Sequence, residues 1–587
     1  MAGTHTHDHE IKIGTTTKRL ELVRDDSGRK MYQIIEDVPQ YQEPLEFAQS
    51  NWIGGHGQFV AKVPDKYLEG QAIDTTQDGR VILGPLIVEV KESDDTALDT
   101  AVVCFVWFPA TSEWLCATAG KIYRYNVSSN LKWTAATTTV AGVTQLCVYG
   151  AVCYAAIGAT NKYYYSTDGI TWTQTDLTDG KANGFIVAPN AAGTLDVLWK
   201  FKTSNEVGST TDGQTVAAGG VQWPTTPNYI GDTANNITNL FLVNDNLMIG
   251  KTDGQFNLDT DGGVHPMRPD LRTNRSTDNF KYVTTWQAGV YHSEINGMGE
   301  ITARNAYEPM GPLTEIDDIG KRGYIVGLAA DKDHIYAAID EGTNTHIYKG
   351  RETRTPEGLR WEWCPFVYLG TNACATIAVC QHSSTDKRLW FGYGTTTGYV
   401  YLSDNPTADS SYKFDTSAAN WLRMSYTYGS NPYWDKMWQS VVTETKGCAA
   451  GISVTPKYRK DTDTSASGLT AAITSNGVVK TNLTTALTCN RISFEAHLTT
   501  DDNTKTPELL AFIARGVEKP ETVRVHEVTY AIGDTPSRRS KTIKEFLESG
   551  RTSTSLIKFA DLRFGQDTAG TASGNYVWVV MMPGYPK

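Results

Sequence analysis

Three groupings of side chains in this 587-residue chain have the composition of reactive or ligand-holding sites. His5, His7 and His9 alternate along the first ten residues, so an extended backbone there puts three imidazoles on one side, a donor set for a transition metal. At a polar chain end, a mobile segment without metal is the expectation. Asp259-Thr-Asp261-Gly262 has the opening of a calcium loop, but Gly263 to Pro269 lacks the further oxygen ligands and the bidentate acid that complete one. It reads as a solvated turn, as do Asp94-Asp95, Asp317-Asp318 and Asp501-Asp502. Arg268, Arg272, Arg304, Tyr291 and Glu294 are the residue types that bind a carboxylate and supply nucleophile and acid for glycoside hydrolysis. Any large β protein contains such residues, and no signature sets these apart. There is no Gly-x-Ser-x-Gly elbow, and Gly54-Gly55-His56-Gly57 does not join a strand to a helix as a phosphate loop does. The reading is a protein that is not an enzyme, with no catalytic residue, cofactor or metal.

One further motif is better formed. Ser166-Thr-Asp168-Gly169-Ile-Thr-Trp172 has side-chain oxygens placed to accept from a tight turn's own N–H groups, a glycine free to take positive φ, and a tryptophan to pack beneath. It resembles the Asp-box of sialidase-type propellers, with one residue fewer between Asp and Gly, and lacks that family's Phe-Arg-Ile-Pro signature. The resemblance implies a structural role for Ser166, Asp168, Gly169 and Trp172.

The motif follows two strands, Val152-Cys-Tyr-Ala-Ala and Tyr163-Tyr-Tyr-Ser, parted by a polar break at Gly158 to Lys162. An apolar strand of the first kind recurs at Trp114, Leu195, Leu247, Val290, His334 and Leu389, at about the spacing that four-stranded propeller blades need. Most copies have a second strand across a turn; the third does not, because Asn205 to Gly220 is polar and glycine-rich. Small residues such as Ala155, Ala156, Ala337 and Ala338 suit the crowded inner part of a ring, and Trp133 and Trp172, about one blade apart, suit equivalent places between blades.

The expected fold is all-β: a seven-bladed β-propeller over 98–410, with an N-terminal β domain or cap over 11–97, a β-sandwich over 411–519 and a small α+β module over 520–587, helical through Ile543, Phe546 and Leu547. Residues 1–10 form the flexible terminus. Composition agrees, with aromatics at 10% and glycine and threonine abundant. A net charge of −12, with no basic run beyond Arg538-Arg539-Ser-Lys541, disfavours nucleic acid. No apolar stretch suggests a spanning helix or a signal peptide. The nine cysteines, without CxxC spacing, read as small buried residues of a chain folded in a reducing cytosol.

The order of parts resembles large virion proteins of tailed bacteriophages, in which a propeller precedes a sandwich. The similar pieces are Asp261 to Leu271, Leu389 to Asp404 and Thr506 to Gly516. The resemblance implies a structural protein of the tail, neck or adsorption apparatus, made in the host cytoplasm and located in the virion. It implies a docking platform whose partners are other virion proteins and host-surface glycan, oligomeric within an assembly. The alternatives from other classes are a glycosidase with accessory β domains and a propeller lectin or adhesin.

Overall fold

The computed structural model describes residues 45–519 apart from 78, 127–129, 191–192, 203, 260–261, 296, 302–306, 312–322, 356–357, 384–385, 418–419, 430–431 and 433. At the two ends it describes 9–13, 16–20, 32–34, 526–528, 541–542, 545–546, 549, 557–561 and 576–579.

Seven four-stranded antiparallel sheets follow one another. Blade 1 is Val102–Phe108, Glu113–Thr118, Ile122–Asn126 and Asn130–Ala135; blade 2 is Gln145–Tyr149, Val152–Ala156, Tyr164–Ser166 and Thr173–Gln174. Blade 3 is Gly184–Pro189, Asp196–Phe201, Glu206–Thr210 and Asn228–Tyr229; blade 4 is Ile237–Val243, Asn246–Lys251, Gly254–Leu258 and Val264–Pro266. Blade 5 is Val283–Trp286, Gly289–Glu294, Gly297–Ile301 and Tyr307–Gly311, and blade 6 is Tyr324–Ala330, Ile335–Asp340, Thr345–Thr355 and Gly358–Gly370. Blade 7 takes three strands from Ile377–Ser383, Asp386–Tyr393 and Thr396–Tyr401, and its fourth from far upstream, Val88–Val90. The molecule is therefore all-β, with a seven-bladed propeller as its largest body.

All seven recurring apolar runs fall in the second strand of a blade. That strand has a neighbour on each edge and a blade against each face, so Glu113–Thr118, Val152–Ala156 and Gly289–Glu294 are buried at every position. Ala155, Ala156, Ala337 and Ala338 are fully buried. Trp133 packs with Val90, Trp390 and Tyr399 between blades 7 and 1, and Trp172 with Phe108, Leu115 and Cys153 between blades 1 and 2. Burying one such ring removes about 150–250 Å² from water, a gross gain of roughly 4–6 kcal/mol. Two details differ from expectation. Gly158–Lys162 is a short strand paired with Lys181–Ala182 instead of a plain turn, and blade 3 does possess its third strand, Glu206–Thr210.

The N-terminal segment expected as a β domain or cap over 11–97 is instead shared among the other bodies. Leu45–Gln49 edges a sandwich sheet running on through Glu508–Lys519, Asp435–Lys446 and Gly477–Cys489. Glu69–Gln71 edges the facing sheet of Trp421–Arg423, Ile492–Thr499, Ser453–Lys460 and Ser467–Gly468. One core runs through both, with Phe494 5.6 Å from Phe47, 5.2 Å from Trp438 and 5.3 Å from Phe512. Val88–Val90 is the strap closing the ring: it pairs with Thr397–Tyr399, while Trp133 Nε1 donates to Thr397 Oγ1 at 2.7 Å and Trp133 N to the Lys91 carbonyl. Strands paired across hundreds of residues leave no local periodicity that separates them from a self-contained domain.

The sandwich abuts blade 6. His56 N donates to the Trp363 carbonyl at 2.9 Å, and Gly55, at φ 81°, lies so close that a Cβ would meet Trp363 N at 2.6 Å. Arg360 pairs with Asp65 at 2.7 Å. In the seam Lys349 Nζ meets Asp74 Oδ2 at 3.1 Å, with side chains 5% and 1% exposed. At the chain ends His9–Ile13 pairs with Thr16–Leu20 and with Ile557–Asp561, which pairs with Tyr576–Val579; Tyr32–Ile34 pairs with His526–Val528. The terminal module thus draws on both ends of the chain. Residues 541, 542, 545, 546 and 549 are helical, with Phe546 buried; Ile543 and Leu547 lie outside the described residues.

Candidate functional site

The turn singled out in blade 2 is closed by its own side chains. Ser166 Oγ donates to Asp168 Oδ1 at 2.9 Å and accepts from Gly169 N at 2.9 Å, and Asp168 Oδ1 accepts from Ile170 N and Thr171 N, both at 2.8 Å. Gly169 sits at φ 69°, a left-handed conformation that costs a glycine little. Partial burial works to raise the Asp168 carboxyl, but the donors from Thr171, Ile170 and Ser166 outweigh it and hold the pKa below the ordinary value. Ser166 Oγ and Asp168 Oδ1 are spent within the turn, and Trp172 N donates to Thr138 Oγ1 at 3.1 Å while its ring packs in the core between blades 1 and 2, which gives Ser166, Asp168, Gly169 and Trp172 a structural role.

One blade later the device recurs. Thr210-Thr-Asp212-Gly213 follows the third strand of blade 3, with Asp212 N donating to Thr210 Oγ1 at 3.4 Å and Gln214 N to Asp212 Oδ1 at 2.9 Å. The loop it opens reaches back to blade 2: Tyr163 OH donates to the Gly213 carbonyl at 2.7 Å, Val216 N to Asp176 Oδ1 at 2.8 Å, and Trp223 Nε1 to Tyr163 OH at 3.0 Å. The repeated [Ser/Thr]-Thr-Asp-Gly was the available sequence signal. It was obscured because the matching tryptophan stands ten residues beyond Gly213.

Beneath this loop, blades 2 and 3 form a shallow recess, open to solvent, lined by Asp179, Lys200, Lys202, Glu206, Trp223, Pro224 and Pro227. Lys200 Nζ donates to the Asp179 carbonyl, lies 3.2 Å from Asp179 Oδ2 and rests 4.3 Å from the centre of the Trp223 ring. Burial depresses its pKa to about 8, the Asp179 carboxylate recovering part of the loss. Lys202 lies 2.6 Å from both Asp179 and Glu206. The ammonium groups face inward, with 4% and 21% of their side chains exposed, and the carboxylates outward at 32% and 31%. The cleft is a charge-balanced recess whose lysines are held inward, whose carboxylates are partly exposed and whose tryptophan, Trp223, is buried.

The Lys200 contact is one case of a wider pattern. A polar residue near the end of a second strand holds the loop that leads into the inner strand: Thr118 to Asp99, Lys200 to Asp179, Lys251 to the Ile230 and Asp232 carbonyls, and Ser293 to the Asp278 carbonyl. These residues are scattered singly in sequence, and only the ring brings out their equivalence.

Other candidate residues are consumed by structure. Arg268 joins Asp270 at 2.8 Å and Glu294 at 3.0 Å, while Tyr291 packs in a separate core with Trp286 and Trp361. Arg272 is exposed near the turn, and Arg304 lies outside the described residues. Asp259 accepts from Gly263 N at 2.6 Å and meets His265 Nε2 at 2.9 Å, a turn that uses both carboxylate oxygens. Asp94 and Asp502 cap turns through Thr96 and Thr504. His5, His7, Asp261, Asp317 and Asp318 lie outside the described residues, and His9 opens a strand. All nine cysteines are free thiols; burial pushes Cys104, Cys147 and Cys364 up to about 12.

No protein-family model and no curated protein matches the chain. Among solved structures it is similar to YCF48 from Cyanidioschyzon merolae, at 12% identity over 54% of this chain and 99% of that one, with a TM-score of 0.38. It is similar to the computationally designed Ika8 protein at 10% identity, over 54% and 100% of the two chains, TM-score 0.36. It is also similar to Hsv2 of Kluyveromyces lactis at 9% identity, over 50% and 90%, TM-score 0.32. The strand pairing itself defines the fold.

Proposed function

We propose that the protein is a structural component of a bacteriophage virion, a docking platform of the tail or adsorption apparatus that binds neighbouring virion proteins and host-surface glycan. One observation supports the platform reading: propeller and sandwich are locked into a single body. The chain passes between them twice, at 84–87 and 402–420, and the buried Lys349–Asp74 pair and the His56–Trp363 contact clamp the seam. A body locked in this way holds its outer surfaces at fixed separation, as a part stacked among other parts requires. The virion setting rests on the resemblance of Asp261–Leu271, Leu389–Asp404 and Thr506–Gly516 to tailed-phage propeller–sandwich proteins.

Micrographs of purified particles labelled with antibody to this chain test the setting; regular label at one place on the particle supports it, and unlabelled particles overturn it. Incubation with a glycan panel tests the chemistry. Binding without turnover supports a non-catalytic platform, and release of product overturns it in favour of a glycosidase.

A further inference from the structure

Asparagine followed by glycine is a reactive pair, because a residue without a Cβ leaves its backbone nitrogen open to the asparagine side chain before it. The described residues hold two such pairs complete, Asn183-Gly184 and Asn476-Gly477, and the fold treats them oppositely. Asn183-Gly184 leads into the inner strand of blade 3. Gly184 is buried opposite Phe201, the Gln145 amide and the Phe201 ring crowd the place where a Cβ would stand, and the Asn183 side-chain oxygen is buried without a donor.

Asn476-Gly477 lies where the chain crosses from one sandwich sheet to the other, after Ile473, which is bridged to Val454, and up to Gly477, which stands opposite Thr445. Both residues are exposed, Gly477 is at φ 92°, and no atom comes within 4 Å of the Cβ position it leaves empty. Cys448 N donates to Asn476 Oδ1 at 2.8 Å. That bond draws electron density from the amide carbon, and it answers the negative charge that the same oxygen acquires when a nucleophile adds to that carbon. The Nδ2 end, on an exposed side chain, has no hydrogen-bond partner among the described residues.

We propose that Asn476 is a site of spontaneous deamidation, through a succinimide closed by the backbone nitrogen of Gly477. That nitrogen gives its proton to solvent base and adds to Asn476 Cγ; the Cγ–Nδ2 bond breaks, and the amine takes a proton from water and leaves as ammonia. Water then opens the ring at either carbonyl. One opening yields aspartate, the other isoaspartate, in which the backbone runs through the former side chain. Each event adds a negative charge. The isoaspartyl product also lengthens by one carbon the segment between the Val454 bridge and the Thr445 pairing, which shifts the start of Gly477–Cys489 against Asp435–Lys446. Asn183 stays intact, because the groups packed around Gly184 leave no room for the ring to close.

The test is peptide mapping by mass spectrometry of the full chain held folded at mildly alkaline pH, against the same chain unfolded in urea. The tryptic peptide Asp461–Lys480 contains no other asparagine or glutamine, so a mass gain equal to the exchange of NH2 for OH is assigned to Asn476. In the folded protein Asn476 is expected to convert faster than Asn183 by about tenfold or more, giving both aspartate and isoaspartate. In urea the two rates are expected to converge, since only the fold distinguishes the pairs. G477A is expected to slow conversion at position 476 by about tenfold, the added methyl hindering ring closure. Unmodified Asn476, conversion of Asn183 at the same rate in the folded protein, or a wild-type rate in G477A overturns the proposal. The comparison of Asn476 with Asn183 is made in the wild type and holds whether or not G477A folds.

Discussion

Replacing Lys349 by methionine keeps the length and apolar stem of the side chain but removes the ammonium that neutralises Asp74 across the propeller–sandwich seam. Asp74, 1% exposed, would then keep only the Thr76 N–H at 2.9 Å and Thr76 Oγ1 at 2.6 Å as donors, both on Oδ1. An uncompensated buried charge of this kind costs about 3–5 kcal/mol, whereas replacing both members by apolar residues is near neutral. K349M is therefore expected to lower unfolding free energy by about that amount, and D74L/K349M to recover most of it. Urea denaturation followed by tryptophan fluorescence measures both, with the double-mutant cycle isolating the pair.

The pH dependence supplies a second readout. In the wild type burial works to raise the Asp74 carboxyl, but Lys349 and the Thr76 donors outweigh it and lower the pKa. The pair's contribution is thus full above the unfolded value of about 3.9 and is lost as pH falls through the lower folded value. In K349M burial is opposed by Thr76 alone, the carboxyl rises, and protonation relieves the buried charge. The gap between variant and wild type should narrow on acidification. A cost for K349M below about 1 kcal/mol, or a double mutant as unstable as the two single changes added together, would refute the claim that the pair clamps the seam.

Three further outcomes are expected. D168A leaves the Ile170, Thr171 and Ser166 donors of the blade 2 turn unanswered and should cost about 1–3 kcal/mol in a thermal melt, with no effect on glycan binding. W133F removes the indole donor to Thr397 and should speed proteolytic cleavage near the Val88–Val90 strap while cleavage in the sandwich keeps its rate; equal protection in wild type and variant would contradict the closing role. Burial, aided by Arg268 at His292 and by Lys349 at His334, depresses both imidazoles to about 3. The unfolded chain, titrating near 6.5, takes up their protons first, so stability is full above about pH 6.5 and falls toward pH 3, by about 2 kcal/mol per imidazole at pH 5. H292F, which keeps an aromatic ring beside Phe280, should flatten that slope between pH 7 and 5.

The blades were legible because each second strand is buried along its length and carries a short apolar run, and a run such as Val152-Cys-Tyr-Ala-Ala can satisfy little else. The turn at Ser166–Trp172 was legible because its partners lie within a few residues of one another. Glu206–Thr210 was not, since its Gly208 and Thr210 carry the composition of a loop and its strand character comes from Asp196–Phe201 beside it. Gly477–Cys489 hid likewise among threonines and asparagine. The parts played by Leu45–Gln49, Glu69–Gln71 and Val88–Val90 depend on partners hundreds of residues away. The cleft has no local signature either, being assembled from a blade 2 loop and three separate stretches of blade 3.

The interleaving of the two ends has a consequence for synthesis. Glu46 and its partner Arg515 are 469 positions apart. At about 5–20 residues per second, the first sandwich strand leaves the ribosome roughly 25–90 s before the strand it must pair with. The blades between can fold in turn as each hairpin emerges, but the leading strands must wait, edges unpaired, until Glu508–Lys519 has been made. The sandwich core is thus completed only after the blades, and truncation anywhere before Glu508 leaves Leu45–Gln49 without the strand it adds to, so an interrupted chain carries an unpaired strand upstream of the blades as well as at its break.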